Sequence, residues 1–174
     1  MTFIAGLCGF GLRPRATLEI PGPTRRLDRI LELISACRYS FHDLSRVQLS
    51  RGAPRFNMPF EAGLTVATAR WRPAHQWFLF EAKPFRVQQT LSDLSGTDAY
   101  IHGDSSKRLL IALTDAMVRA TRQPTVNELG RVRRFLHNKS IGIRRNYGTL
   151  FGARAFQDLV VVATDFMTRE WPES

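Results

Sequence analysis

Three features of this 174-residue chain predict an α/β fold: a parallel sheet flanked by helices, with a helical, basic C-terminal part. Short apolar segments alternate with an amphipathic and a helix-like one as far as Ala82, in the order strand, helix, strand, helix, strand. Segments rich in Pro, Gly and Arg separate them. Beyond Gly103 the apolar spacing becomes helical. Strands that alternate with helices pair in parallel, because each crossover returns the chain to the same edge of the sheet.

Residues 2–10, TFIAGLCGF, are apolar and closed by Gly9 and Gly11, and are expected to form a buried first strand. GLRPRATLEIPGPT follows as a loop. In RLDRILELISACR, Leu27, Ile30, Leu31 and Ile34 recur at i, i+3, i+4 and i+7, giving a helix one apolar face, with Thr24 placed to cap it. YSFHDLS is a second short strand. The loop 46–56 ends at Asn57, a residue suited to capping, and Pro59 fits the first turn of a helix over about 58–70. HQWFLFEA is a third strand, and Trp71, Trp77, Phe78 and Phe80 are expected in the core. Residues 83–103 form an irregular excursion with room for a short fourth strand. Leu109, Leu110, Leu113, Ala116 and Met117 then mark a helix over 105–122, and further helices are expected over about 125–138 and 153–169. There is no internal repeat.

The length suits one domain, 1–174, divided into an α/β core over 1–122 and a helical extension over 123–174. Hydrophobic residues make up 44% of the chain, enough for a core, yet no 18-residue apolar run exists to span a membrane. Cys8 and Cys37 have neither CxxC spacing nor a His partner at zinc spacing. Reduced thiols in a cytoplasmic protein are therefore expected, with no metal site. The net charge of +10 is uneven: residues 119–154 hold nine Lys/Arg and one acid, Glu128. Such a block is a solvated face, a phosphate-binding surface for nucleic acid, or a contact with an acidic partner or a neighbouring subunit of a homo-oligomer.

Open parallel sheets bind ligands beyond the carboxyl ends of their strands. Three loops are expected there. The first carries Gly9, Phe10, Gly11, Arg13 and Arg15, the second His42, Asp43, Ser45 and Arg46, and the third begins at Glu81. Glu61, one turn into the helix after strand two, stands alone among apolar neighbours, where ionisation is costly unless the carboxylate is paired or working. It is a catalytic candidate, or else an ion-pair partner of Arg46 or Arg55. His42-Asp43 is an acid/base pair, or a loop cap beside a packed ring. Asp93, Asp98 and His102 either complete a polar site or serve as turn residues around Gly96.

The motifs YSFHDLSR, PRFNMPFEAGL and SDLSGTDAYIHG carry a resemblance. The chain resembles a group of small bacterial proteins with YSIHDLSR and PRFNMPFELGL, departing within these two motifs at Phe41 and Ala62. More broadly, the order of elements and the helix-borne Glu resemble the nucleoside 2-deoxyribosyltransferase and TIR-like superfamily, over roughly residues 1–122. That resemblance implies a Rossmann/flavodoxin-like sheet and an N-glycosidase or NAD-cleaving activity on a nucleoside or nucleotide, with no cofactor required and NAD or a nucleotide as substrate. It further implies Glu61 as the carboxylate facing the sugar, with His42 and Asp43 assisting. Gly9, Phe10, Gly11, Arg13, Arg46, Asn57, Asp93 and Asp98 would contribute to substrate binding. The alternative is a nucleotide-sensing module of the same fold that cleaves nothing. The basic C-terminal part lies outside what the resemblance explains.

Overall fold

The computed structural model describes residues 1–19, 25–46, 49–50, 53–54, 56–94, 96–118 and 123–171. In chain order the elements are α1 (Thr2–Gly9), α2 (Arg26–Ala36), β1 (Tyr39–Asp43), β2 (Leu49–Ser50), β3 (Ala53–Pro54), α3 (Asn57–Trp71), β4 (Gln76–Glu81), α4 (Arg86–Thr90), β5 (Tyr100–Ile101), α5 (Ser106–Ala116), α6 (Val126–Tyr147) and α7 (Ala153–Glu170). Two compact units result. One comprises Arg26–Ala112; the other joins Met1–Arg25 to Leu113–Ser174. The boundary falls inside α5, and the first 25 residues group with the C-terminal helices. This redraws the expected division at residue 122. Thr24, Arg55, Arg119 and Arg122 lie outside the described residues.

The Arg26–Ala112 unit is α/β, of the Rossmann/flavodoxin-like type expected. Its sheet has the order β1-β4-β5, all parallel, with Tyr39 opposite Gln76, Asp43 opposite Phe80 and Phe80 opposite Tyr100. Strand alternation sorts the two faces. One carries an aromatic ladder from Tyr39 and Phe41 through Phe78 and Phe80 to Tyr100, with ring centroids 5.2 Å apart for Phe41–Phe78 and 5.4 Å for Phe80–Tyr100. The other carries Ser40, His42, Trp77, Leu79 and Glu81. There α3 packs, and Leu44, Ala62, Leu79 and Val87 form a buried cluster joined by Met58 and Trp77. Trp71, expected in the core, ends α3 at 88% exposure, because the helix has outrun the sheet beneath it. β2 and β3 form a separate antiparallel pair. The excursion over 83–103 contains the expected short strand, β5, and a helical turn, α4, that its polar sequence RVQQT did not signal.

The second unit is helical. Its α1 replaces the expected first strand. TFIAGLCG is apolar on all sides and eight residues long, so its periodicity cannot separate strand from helix; burial against two helices decides. Ile4, Ala5 and Cys8 of α1 pack with Val132, Leu136 and Ile143 of α6 and Ala155, Leu159, Val160 and Ala163 of α7. α6 opens with a capping box: Thr125 accepts from the Glu128 amide while the Glu128 carboxylate accepts from the Thr125 amide. It closes at Gly148, in the left-handed region at φ 71°. Among the described residues no helix is long and apolar enough to cross a membrane.

Candidate active site

The carboxyl edge of the sheet carries one set of bonded polar side chains of the α/β unit: Asp43, Ser45 and His102, and Glu81 with Arg86. Asp43 ends β1, Glu81 ends β4 and His102 follows β5. The Asp43 carboxylate accepts the Ser45 amide at 3.0 Å, an Asx-type turn that bends the chain away from the strand. Oγ of Ser45 lies 2.9 Å from Nε2 of His102, and Oδ1 of Asp43 lies 3.4 Å from the same nitrogen. Serine, histidine and aspartate therefore meet, but not as a nucleophilic triad. In a triad the carboxylate and the hydroxyl occupy opposite ring nitrogens, whereas here both address one. The contacts tie the end of β1 to the end of β5.

Glu81 is 1% exposed and saturated with donors. Arg86 reaches it with Nε at 2.9 Å and Nη2 at 2.5 Å, and the amides of Ala82 and Lys83 donate at 2.5 and 3.2 Å. Arg86 also donates to the Leu44 carbonyl at 3.2 Å, joining the ends of β1 and β4. A carboxylate engaged this fully is a structural clamp. Nothing in the spacing of Glu81 and Arg86 identified it beforehand, although an acid closing an aromatic strand, followed by cations, is the signal that points to it.

Glu61 is situated differently. It stands on α3 beside Ala62 and four residues before Thr65, both buried in the interface with the sheet. Its side chain is 14% exposed, and its ion-pair partner is Arg26, with Nη2 3.4 Å from Oε1. That partner is not the expected Arg46, which lies exposed in the 3-10 turn after β1. Arg26 is itself 59% exposed, so the pair is long and open to solvent.

His42 is not positioned as an acid. It faces α3 on the covered side of the sheet, with Nε2 3.0 Å from Oγ1 of Thr65, while Nδ1 is buried without a partner. Burial, with the nearby His75 ring, lowers its pKa to about 4. It is therefore neutral at pH 7. His75, also buried, bridges Ser40 and the Cys37 carbonyl, each at 3.0 Å, and fastens the opposite end of the sheet.

The remaining expected residues disperse. Gly9, Phe10 and Gly11 are the exit of α1 in the helical unit and do not follow a strand. Phe10 is 3% exposed, Gly11 turns the chain at φ 68°, and a Cβ at Gly9 would come 2.1 Å from Cδ2 of Leu129. Gly9 sits in close packing and Gly11 makes a turn, in the helical unit and away from the sheet's carboxyl edge. Arg13 and Arg15 belong to the same unit, and Arg15 pairs with Glu19 at 2.9 Å. Asn57 is exposed and begins α3 inside the helix; Phe56 occupies the cap position without a side-chain bond. Asp93 and Asp98 are exposed, outside the cluster that holds His102. Among the described residues no group of three or more His, Cys, Asp or Glu is placed to hold a metal ion.

Fold and edge together define an α/β protein with a largely buried helix-borne carboxylate on α3 and a hydrogen-bonded polar rim at the carboxyl edge of its sheet. Neither the family models, nor the curated proteins, nor the solved structures contain a match to this chain.

Proposed function

We propose that the α/β unit is an N-glycosidase acting on a nucleotide, with NAD or NADP as the substrate class and Glu61 as the working carboxylate. One observation carries the reading: Glu61 is largely withdrawn from water yet has only a long contact to an exposed arginine. A carboxylate in that state gains most when a cation arrives. Cleavage of a glycosidic bond creates one, because the bonding electrons leave with the base and the sugar acquires oxocarbenium character.

The neutral, engaged His42 narrows the substrate. A purine leaving from a nucleoside needs a general acid, and His42, bonded to Thr65 under α3 with its pKa lowered by burial, is not placed to be one. Nicotinamide leaves a pyridinium: the electrons of the broken C1′–N bond cancel the ring charge and neutral nicotinamide departs without an acid. Water then adds to the sugar carbon and releases a proton to solvent.

The test is incubation of purified protein, and of Glu61→Gln, with NAD, NADP and a panel of nucleosides, followed by chromatography. Wild type is expected to release nicotinamide, and Glu61→Gln to do so about 10²–10³-fold more slowly, the usual scale for loss of one charge-stabilising group. Full turnover by Glu61→Gln would overturn the assignment.

A second reading has its own observation. Asp43, Ser45, His102, Glu81 and Arg86 all bond within the protein, as in a rigid rim that recognises a nucleotide without cleaving it. Ligand-induced thermal stabilisation with no product from any compound is the outcome that favours this nucleotide-sensing module.

A further inference from the structure

We infer that the helical unit binds single-stranded nucleic acid, with phosphates along the basic side of α6 and a base stacked on Phe151 at the turn into α7. The inference is independent of the glycosidase reading and uses different residues.

Residues 129–157 contain seven Lys/Arg and no acid. α6 spends its apolar stripe internally, burying Leu129, Val132, Leu136, Ser140 and Ile143 against α1 and α7. The opposite side exposes Arg134 and Arg145, while Arg144 and Lys139 are exposed on the two flanks of the buried stripe, Lys139 with its Nζ 5.5 Å from the Phe135 ring centroid. Arg131 is already committed, to Glu170 and to the Trp171 ring with its guanidinium carbon 5.2 Å from the centroid. No described carboxylate pairs with Arg134, Arg144 or Arg145. Arg134 and Arg145 are eleven residues apart on one face, about 16 Å of helix, so several phosphates of one strand can be reached together. An amphipathic basic helix can also bind membranes, but it does so by inserting its apolar face. Here that face is core.

The C-terminal end of α6 supplies what a plain basic patch lacks. A cavity of about 180 Å³ opens there, lined by Arg144, Gly148, Thr149, Leu150 and Phe151. It is shallow, half open to solvent and smaller than the pockets that enclose drug-sized ligands. Phe151 is 83% exposed, an apolar ring with no covering group in its own unit. Its amide donates to Oγ1 of Thr149 at 3.0 Å, which fixes the turn that presents the ring. Tyr147, one residue before the turn, is held by a hydrogen bond to Asp158, the main cause of its raised pKa. Just beyond, α7 begins at Gly152 with no side-chain cap and no acid in its first turn, so its amide dipoles add to the positive potential of Arg144 and Arg154. Bases stack on aromatic rings while arginines hold the backbone in sequence-tolerant single-strand recognition. A duplex base, already stacked, has no face to offer Phe151. This favours nucleic acid over an acidic protein, and a single strand over a duplex.

Fluorescence anisotropy with labelled oligo-dT, oligo-U and a duplex of equal length, over a salt series, tests this on the full chain. Binding to the single strands is expected to weaken with salt. Arg144→Gln and Arg145→Gln should each reduce the slope of log K against log salt by about 0.7, one phosphate contact apiece. Phe151→Ala should weaken single-strand binding roughly tenfold with the slope unchanged, and leave duplex binding as it was. All three side chains are exposed, so melting curves should match wild type. Absence of binding at low salt overturns the inference. So does equal affinity for single strand, duplex and an acidic polypeptide, or a Phe151→Ala variant that binds like wild type.

Discussion

His42 and Thr65 meet at 3.0 Å where β1 lies under α3, and the other ring nitrogen of His42 is buried with nothing to accept a proton. Charging this ring would place an unpaired N–H in an apolar interface, which is the physical content of a pKa lowered to about 4. Because the folded-state pKa lies below the unfolded value of 6.5, the unfolded chain binds the proton more tightly. Stability is therefore expected to be flat above about pH 6.5 and to fall as pH drops from 6.5 toward 4, by about 3 kcal/mol from this ring. Urea unfolding at a series of pH values checks it. His42→Leu should flatten that window, and an unchanged slope in the variant would assign the acid sensitivity elsewhere.

Glu81 and Arg86 should behave as a unit. Arg86→Met leaves a carboxylate at 1% exposure without its cation, and is expected to cost about 3–5 kcal/mol. The double variant Glu81→Met with Arg86→Met removes both charges and should recover much of the loss, although the amides of Ala82 and Lys83 then lose their acceptor. A double-mutant cycle by chemical denaturation gives the coupling. Additive losses would show that the two side chains stabilise the fold separately.

Glu61 and Arg26 are predicted to contribute little to stability. The contact is long and Arg26 is mostly in water, so exposed-pair values below about 1 kcal/mol apply. Arg26→Ala and Glu61→Gln should both melt close to wild type. That separation is what allows loss of turnover in Glu61→Gln to be read as chemistry. A large destabilisation in either variant would recast Glu61 as a structural ion pair.

The sequence disclosed elements with a one-sided pattern and concealed those without one. α2 was legible from Leu27, Ile30, Leu31 and Ile34; β1 and β4 from short aromatic runs between breakers. α1 was not, because a segment apolar on every side has no phase to read. α6 runs to Tyr147, nine residues past its expected end at 138, because Ser140 and Ile143 continue the buried stripe through polar sequence. At the site, Glu61 stood out as a lone acid on a helix. The rim did not: Ser45 finds His102 across 57 residues and Arg86 finds Leu44 across 42. Such contacts exist only once strands are aligned, and local spacing carries no trace of them.

Two glycines should respond oppositely to the same substitution. Gly9 ends α1 where a Cβ would stand 2.1 Å from Cδ2 of Leu129, a fully buried side chain that must move to admit it. Gly142 lies in the interior of α6, exposed, with nothing within 4 Å of the added carbon. Alanine lowers the entropy of the unfolded chain and favours helix at both positions, a gain of about 0.5–1 kcal/mol. At Gly142 that gain is unopposed, so Gly142→Ala should raise the melting temperature. At Gly9 overpacking of the helical core outweighs it, and Gly9→Ala should lose about 1–3 kcal/mol. Thermal melts of the two single variants decide. A Gly9→Ala variant as stable as wild type would mean that Leu129 yields to the added carbon and that close packing at Gly9 is not what limits this position.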